Sequence, residues 1–591
     1  MSAVASTQPR ARRFELAVSR DALALGVLAA LVGLLIAVTW GTWGDLGQDT
    51  GYDLVAGARV AHGQFPYVDF IYYYGPLAPF LLGLAALIGG SGIGPAVVVG
   101  IILASSIVLA TYVLARMYAG VLGGFLAAAF TAPIAFAPTN FSFVMPHTFS
   151  VSLALLTSLC FLIALRRYVD TGRERWLAAA GLAVGLVFLT RPEFVLAVVA
   201  AGGAWLALRV RSGMGGRRET AVIAAPALAV PAAVYGAFLA VVPLHRLLLD
   251  NLYPVHLLRE GAAAVLKSYA PLTASSFVSL GAKLVLYLAG IAALLVLAHA
   301  LARAGRVRAT ALALAVGAGT ALIAVAAVRP ETVRYYLRFA YGWIPAGAAL
   351  AVVILLVRYR RRNGTWSSAA QAELAGAVFL AVLTGKTYAG FLVYAHIPQF
   401  AVYGLPPAAV FLVRLHLVDL GRIRAGALLG AAWIALLAGV GFELTIKDVR
   451  AQSATVRGPG GALAATPAEA RMYGEALAWI ERTTPRGGPI LVAPQLTSLY
   501  VLSGRTDPLP QISLLPGALA TPADERAAIR RLDAAGVRTI VTSRRVYSDE
   551  HQTAFGGSFD RVLAAWIHRS FRHAATLSAG GKTPPLDVWV R

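Results

Sequence analysis

The sequence predicts a polytopic α-helical membrane protein with a small external α/β domain at its C-terminal end. The chain of 591 residues is 58% hydrophobic and only 13% charged. Its mean hydropathy is +0.70, far from the composition of a soluble globular domain. Long apolar runs recur from residue 22 to about residue 443, and mixed polar sequence follows them.

The apolar runs supply about thirteen membrane spans, because one crossing takes roughly 20 apolar residues. The first run lacks a small-residue cleavage site, so we expect it to stay as an anchor rather than to be removed as a signal peptide. The predicted spans are 22–40, 94–115, 119–138, 148–165, 176–190, 192–208, 220–243, 279–301, 309–328, 339–357, 370–385, 390–413 and 425–442.

Arginine clusters fall on alternate connections between these spans. Lys and Arg near span ends are retained on the cytoplasmic side, so these connections and residues 1–21 are expected in the cytoplasm. A cytoplasmic N-terminus places the first loop, residues 41–93, on the external face of a cytoplasmic (inner) membrane. An odd number of spans places the segment 444–591 on the same face. The clusters begin at Arg10, Arg166, Arg209, Arg303, Arg358 and Arg414.

The formal net charge of +23 is explained by these short basic loops, which meet an anionic membrane surface. Membrane lipids are therefore expected partners, and nucleic acid is not. The single cysteine, Cys160, excludes an intrachain disulfide or a cysteine metal site. It lies in an apolar span, where we expect a small buried hydrophobic residue.

The C-terminal segment has the pattern of an open α/β domain. Thr466-Pro467-Ala468-Glu469 and Thr521-Pro522 predict helix starts with a threonine cap and proline at the first helical position. Strands are expected at 490–493, at 539–542 and near Val588, and a further helix is expected from about Phe559. Because the segment has no Gly-rich phosphate loop and no nucleophile elbow, we expect only a binding or capping role.

Candidate chemistry is concentrated in the first loop, which is acidic and rich in tyrosine. Asp49 and Asp53 are four residues apart, so in a helix they share one face near the N-terminus, where the macrodipole favours carboxylates. A carboxylate shielded there by aromatic side chains and lipid could act as a base near neutral pH. The alternative is that Asp49 caps the helix, and that Asp45 and Asp53 are solvated.

The first loop resembles that of GT-C membrane glycosyltransferases, and bacterial aminoarabinose transferases and protein mannosyltransferases are the most similar members. Weaker similarity extends over the membrane region, including residues 185–194 and 334–345. The residues that carry the resemblance are Asp49, Tyr52, Ala58, Gly63, Pro66-Tyr67, Asp69-Phe70 and Gly75-Pro76-Leu77.

The resemblance implies that Asp49 is the catalytic base. Many relatives have Asp-Glu at this point, whereas this chain has Asp49-Thr50. A second carboxylate would then have to come from Asp53 or Asp69. The implied reaction is transfer of a sugar from a polyprenyl-phosphate carrier to a hydroxyl or amine of a lipid, glycan or protein, with inversion at the anomeric carbon.

A departing lipid phosphate is stabilised by positive charge. Basic residues expected near the external face are therefore candidate substrate contacts. Arg191 and Glu193 interrupt an apolar run, either as an internal pair that fixes a turn or with Arg191 reaching the phosphate. Lys386 is a further phosphate candidate, or it extends to the membrane interface. The complete set of expected substrate contacts is Tyr52, Tyr67, Arg191, Glu193, Arg334, Tyr335, Arg338 and Lys386.

A cofactor is not implied, although a divalent cation near Asp69 stays open. The histidines expected near the outer side are His147, His245, His256 and His396, and their spacing matches no known ligand set. The alternative functions are a transporter or flippase of lipid-linked sugar, a polysaccharide polymerase or ligase, and an inactive lipid-binding relative. A transporter would often show two related halves, which this sequence lacks.

Overall fold

The computed structural model describes most of the chain, with gaps in the later membrane region. The described residues are 8–47, 50–138, 142–213, 216–251, 344, 347–358, 360–361, 367–391, 402–413, 449–547, 552–581 and 583–591. The predicted spans 279–301, 309–328 and 425–442 lie outside them, as does the predicted domain boundary at residue 444.

The membrane region is helical, as predicted. Six of the described helices are long and apolar enough to cross a membrane, which confirms a multi-pass membrane protein. The described helices of this region are α1 (Gln8–Thr39), α2 (Thr50–Ala61), α3 (Leu77–Gly89), α4 (Ile93–Ala135), α5 (Phe149–Thr171), α6 (Glu174–Phe188), α7 (Pro192–Arg211), α8 (Arg217–Leu239), α9 (Leu244–Asn251), α10 (Gly347–Arg358), α11 (Ser368–Phe391) and α12 (Leu405–Leu412).

Helix α4 is a hairpin of two antiparallel legs, in agreement with the two predicted spans 94–115 and 119–138. It reverses at Gly120, whose φ of 71° and ψ of −172° suit a residue without a side chain. A Cβ atom at Gly124 would lie 2.9 Å from the carbonyl oxygen of Tyr112. Residues twelve apart would be about 18 Å apart in a straight helix, so the second leg folds back along the first.

Arginine side chains collect at one end of the described helices, here called the basic end. Arg116, near the turn of α4, donates from Nε to Asp21 of α1 at 2.6 Å. Arg209, near the end of α7, pairs with Glu219 of α8 at 2.7 Å and donates to Ser368 of α11 at 3.3 Å. Arg166 also lies over the ring of Tyr118, near the turn of α4, at 4.8 Å from its centroid. The predicted clusters that begin at Arg166 and Arg209 therefore lie at the same end of the described helices.

The opposite end, here called the loop end, carries the first loop. That loop is mostly helical rather than open, since it forms α2 and α3. Helix α3 is apolar but has only 13 residues, about 20 Å of helix, which is too short for a hydrocarbon core of about 30 Å. Gly75, just before α3, hydrogen-bonds through its N–H to the carbonyl of Thr190 at 2.7 Å, which ties the loop to the α6–α7 turn.

The C-terminal part forms the predicted small α/β domain. Its four-stranded sheet has the order β3-β4-β6-β5, with β3 parallel to β4 and the other pairs antiparallel. Its elements are β1 (Ala454–Gly458), β2 (Gly461–Ala465), α13 (Pro467–Thr483), β3 (Leu491–Ala493), α14 (Ser498–Ser503), α15 (Pro522–Ala534), β4 (Thr539–Ser543), α16 (Arg561–Ser570), β5 (Arg572–Leu577) and β6 (Leu586–Val590).

Both predicted threonine caps are present. Thr466 accepts from the N–H of Glu469, and Thr521 accepts from the N–H of Asp524. Each acidic side chain in turn accepts from the N–H of its threonine, so both helix starts are capping boxes. The prediction for Cys160 is wrong, because this side chain is exposed on the outer surface of α5.

The C-terminal domain packs directly on the first loop. The N–H of Ile71 donates to the carbonyl of Pro510 at 2.9 Å, and the N–H of Ile93 donates to the carbonyl of Gly460 at 2.9 Å. Ser498 donates through its hydroxyl to the carbonyl of Asp45 at 2.9 Å. The domain therefore covers the loop end of the bundle and contacts the first loop on both sides of α2.

Candidate functional site

Asp53 is buried where the first loop meets the start of α5. Its side chain points from α2 into the protein, and 2% of the residue is exposed. Oδ1 accepts from the hydroxyl of Tyr72 at 2.7 Å, and Oδ2 accepts from the backbone N–H of Phe149 at 2.5 Å. Because Phe149 is the first residue of α5, its N–H has no partner within the helix, and the Asp53 carboxylate satisfies it.

Burial is the largest influence on the Asp53 carboxyl, and it raises the pKa to about 6. The hydrogen bonds from Tyr72 and Phe149 and the positive charge of Arg191 lower the pKa and only partly offset the burial. A carboxyl with this pKa changes charge close to physiological pH. Both of its oxygens are nevertheless already used as acceptors, which suits a residue that joins two elements.

Tyrosines form an ordered wall beside Asp53. Tyr52 stacks on Tyr72 with 5.5 Å between ring centroids, and on Tyr73 with 6.3 Å. Tyr67 is fully buried in a left-handed conformation, with φ of 67°, and its hydroxyl donates to the carbonyl of Tyr74. In this structure the buried Tyr67 stabilises the conformation of the first loop. The substrate contact expected for Tyr67 stays a prediction.

Arg191 lies at the same end, in the turn between α6 and α7, with 7% of the residue exposed. Its Nε is 2.8 Å from Oε1 of Glu193, a close charge contact that lacks hydrogen-bond geometry. The guanidinium also lies over the ring of Tyr74, 4.3 Å from its centroid. These contacts favour the predicted internal pair that fixes the turn, and contact with a donor phosphate stays a prediction.

His147 completes this cluster, and the sequence analysis did not assign it a role there. Nη1 of Arg191 is 3.0 Å from Nε2 of His147, and Nδ1 of His147 is 3.0 Å from the hydroxyl of Tyr403. A guanidinium only donates hydrogen bonds, so Nε2 is the acceptor and the neutral ring carries its proton on Nδ1. A polar Pro-His-Thr sequence before an apolar span, at 146–148, was the signal available for this residue.

The remaining candidates are not brought together with this cluster in the described part of the chain. Asp69 is exposed, and its carboxylate accepts from the N–H of Phe65 at 2.7 Å, which closes a tight turn. Asp49 lies outside the described residues, directly before the first residue of α2. The arginines and tyrosine expected to bind phosphate, Arg334, Tyr335 and Arg338, also lie outside them, and Lys386 is in α11 with its side chain undescribed.

The described residues contain no group of three or more His, Cys, Asp and Glu side chains that could hold a metal ion. His147 faces a guanidinium through Nε2, which disfavours a cation at that nitrogen. His256 and His396 lie outside the described residues. A divalent cation near Asp69 therefore stays a prediction.

The fold and this cluster define a polytopic membrane protein whose polar chemistry is gathered at one end of the helical bundle. Residues 74–236 match the family model of dolichyl-phosphate-mannose-protein mannosyltransferases. This range is less than half of the chain; it includes His147 and Arg191 and begins after Asp49, Asp53 and Asp69. The match supports the predicted class, an integral membrane glycosyltransferase. The role of the first-loop carboxylates stays a prediction.

Solved structures of two membrane transferases are similar to this chain at low identity. The oligosaccharyltransferase of Archaeoglobus fulgidus in complex with Zn and sulfate is 15% identical, with a TM-score of 0.47, over 95% of this chain and 72% of that chain. ArnT from Cupriavidus metallidurans bound to undecaprenyl phosphate is 13% identical, with a TM-score of 0.39, over 95% and 97%. No curated protein matches the chain.

Proposed function

We propose that the protein transfers a sugar from a polyprenyl-phosphate-linked donor to an acceptor of the cell envelope, at the external face of the cytoplasmic membrane. The observation that carries this proposal is the position of α2. The helix is held between the loop end of the membrane helices and the C-terminal domain, and in the sequence Asp49 is the residue before its first residue, Thr50. The donor class is supported by the dolichyl-phosphate sugar in the name of the matching family.

Asp49 is the base in this proposal. It takes the proton from the acceptor hydroxyl or amine as that oxygen or nitrogen bonds to the anomeric carbon. The bond from this carbon to the phosphate oxygen breaks, and the electron pair leaves with the polyprenyl phosphate, so the configuration inverts. General-base catalysis of this kind contributes about 10² to 10⁴ in rate.

Asp53 and Asp69 have supporting roles in this proposal. Asp53 joins α2 to the start of α5 through the Phe149 N–H and to the first loop through the Tyr72 hydroxyl, and Asp69 closes the turn at Phe65. Neither replaces the second carboxylate that many relatives have after the catalytic aspartate. Asp49 therefore acts as a single base.

Positive charge for the departing phosphate is assigned to Arg334 and Arg338, with Tyr335 beside them. Arg191 acts indirectly, because its contacts with Glu193, His147 and Tyr74 hold the α6–α7 turn against the first loop. Lys386 remains an additional candidate for the phosphate. Charged donors directed at developing phosphate charge are often the largest single contribution to catalysis.

The external location is supported by the distribution of charge. Arg116 and Arg209 are at the basic end, and the first loop and the C-terminal domain are at the other end. Because basic residues are retained on the cytoplasmic side, the loop end faces outward. The acceptor is then a lipid, glycan or protein outside the membrane.

The test is sugar transfer by purified protein in nanodiscs, with a panel of polyprenyl-phosphate sugars and membrane-extract acceptors. We expect wild type to use one donor, and Asp49→Asn to lose a factor of about 100 or more. Asp170→Asn is the matched control, because Asp170 pairs with Arg166 near the basic end and its loss should leave transfer unchanged. Equal transfer by Asp49→Asn would contradict the base assignment. Absence of transfer by wild type with every donor would contradict the proposed reaction.

A further inference from the structure

A cavity of about 430 Å³ opens in the C-terminal domain. Its lining residues are distinct from those that contact the first loop, so it is separate from the cluster around Asp53. Its volume lies within the range of small-molecule sites, about 300 to 1,000 Å³. The side chains that form its polar and aromatic walls are Arg544, Phe555, His568, His573, Asp587 and Trp589.

Asp587 of β6 organises the polar wall. Its Oδ2 accepts from Nε of Arg544 at 2.6 Å, and its Oδ1 accepts from Nη2 of Arg544 at 2.8 Å and from the hydroxyl of Thr576 at 2.6 Å. Nε2 of His573 lies 3.2 Å from the same Oδ1. The carboxylate is thus surrounded by donors and holds the Arg544 guanidinium in one orientation.

The hydrogen bonds to Asp587 outweigh its burial. Burial alone would raise the pKa of this carboxyl, but the bonds from Arg544, Thr576 and His573 hold it below its ordinary value. The Arg544–Asp587 pair is therefore ionised at neutral pH. The pair uses Nε and Nη2 of Arg544 and leaves Nη1 outside it, and the Arg544 side chain is 56% exposed.

The lining of the cavity contains three basic side chains and one acidic side chain. Asp587 is the only acidic residue among its lining residues, and its oxygens are already occupied by donors. Arg544, His568 and His573 are the basic side chains of the lining. An anionic group that enters would find N–H donors and no unpaired carboxylate to repel it.

The other walls are aromatic. The ring of Trp589 packs edge-on against both His568 and His573, with centroid separations of 4.6 Å and 4.9 Å. Its Nε1 donates to the hydroxyl of Thr542 at 3.0 Å, which fixes the indole plane. Phe555 contributes a second ring to the lining. Apolar surface with a few placed donors suits a ligand that has both C–H faces and polar edges.

We propose that this cavity binds an acidic saccharide, with its carboxylate or phosphate on Arg544 and its ring against the aromatic wall. A sugar ring supplies the apolar face and the hydroxyl edges, and the anion supplies the partner for the donors. Binding here is independent of the proposed transfer reaction, because none of the lining residues belongs to the first-loop cluster. It is measured directly and without turnover.

The test measures the binding of sugars to the full-length protein in nanodiscs by saturation-transfer NMR. The probes are galacturonate, galactose 1-phosphate and neutral galactose. We expect at least one acidic sugar to bind about tenfold or more tightly than galactose, because a charge-assisted hydrogen bond is gained. The stronger of the two identifies the anion. Equal binding of all three sugars, or binding of none, would overturn the proposal.

Variants locate the site. Arg544→Gln should weaken the binding of the acidic sugar by about tenfold or more. His568→Gln should weaken this binding to a smaller extent and leave the hydrogen bonds to Asp587 intact. Arg569→Gln is the matched control, because Arg569 is the next residue of α16 and is not part of the lining. If Arg544→Gln fails to fold, His568→Gln decides. Unchanged binding in His568→Gln, or equal weakening in Arg569→Gln, would contradict the assigned site.

Discussion

Arg59 in α2 and Asp507 in the C-terminal domain form an ion pair, with Nη2 and Oδ2 separated by 3.1 Å. The two side chains are 11% and 1% exposed. Nη2 of Arg59 also donates to the carbonyl oxygens of Asp507 at 2.8 Å and Leu509 at 2.6 Å. The last turn of the helix that follows Asp49 is thereby attached to a domain more than 400 residues later in the chain.

Removal of one partner of this pair should destabilise the contact between the two parts of the protein. Arg59→Gln leaves the Asp507 carboxylate buried without its cation, which costs about 3 to 5 kcal/mol. We expect a lower temperature of unfolding for Arg59→Gln in nanodiscs at pH 8, where Asp507 is charged. Arg457→Gln, on the exposed side of β1, is the control and should unfold like wild type. The same unfolding temperature in wild type and Arg59→Gln would contradict the importance of the pair.

The stability of this contact should depend on pH. Burial raises the pKa of Asp507 to about 7 from an ordinary value of 3.8, and the charge of Arg59 only partly opposes it. The folded protein then binds this proton more tightly than the unfolded chain does. Stability should fall as pH rises from about 4 to about 7, by at most about 1.4 kcal/mol per pH unit, and become level above that.

The measurement is the unfolding temperature of wild type and Asp507→Asn at several values between pH 4 and pH 8. The asparagine cannot titrate, so the difference between the two proteins should change across this window and be constant above it. Parallel profiles would show that Asp507 does not titrate there. Comparison of the two proteins removes the contribution of Asp53, whose pKa is also raised.

Gly51 should not tolerate a side chain, because the C-terminal domain lies against it. A Cβ atom at this position would be 2.1 Å from the backbone nitrogen of Ser498 and 2.2 Å from the carbonyl carbon of Thr497. Backbone atoms at these distances cannot rotate away, so Gly51→Ala must displace α2 or the domain. We expect faster proteolysis between the two parts and a clear loss of transfer activity.

Gly474→Ala is the matched control for Gly51→Ala. Gly474 is also helical, and nothing lies within 4 Å of its added Cβ atom. Alanine there should be neutral or stabilising by up to about 1 kcal/mol, because it favours the helix. If both variants are cut by protease at the wild-type rate, the close approach at Gly51 is not required for the assembly.

Asp53→Asn and Asp49→Asn should fail in different ways. At Asp53 one oxygen becomes an amide NH2 group, which either faces the Phe149 N–H or requires the Tyr72 hydroxyl to turn and accept, at a cost of about 1 to 3 kcal/mol. We expect a lower unfolding temperature with transfer that is reduced in proportion. Asp49→Asn should lose transfer with an unchanged unfolding temperature. The reverse pattern, an inactive but stable Asp53→Asn, would make Asp53 the base.

The helices and the caps of this protein could be predicted from local sequence. The Thr466 and Thr521 capping boxes need only residues three apart, and the two legs of α4 are separate apolar runs. The apolar helix α3 was missed because 13 residues are too few for a span. The hairpin of β1 and β2 and the strand β5 were missed as well, since their pairing depends on distant packing.

The candidate site was only partly predictable. The acidic, tyrosine-rich loop is visible in the sequence, but the contacts of Asp53 with Tyr72 and Phe149 join residues 19 and 96 positions apart. The role of His147 depends on Arg191, 44 positions later. No local spacing encodes these separations, so the sequence identified the residue types and not their partners.

The sequence by itself determined the class of protein, the alternation of basic connections and the position of the first loop along the chain. Hydropathy and charge are local properties, which can be read from one span and its flanking residues. Only the tertiary structure decided that α2 is held from both sides, by Asp53 toward the membrane helices and by Arg59 toward the C-terminal domain. A buried charge must find a partner wherever the fold brings one. That choice is made by packing between distant segments and is not contained in any one of them.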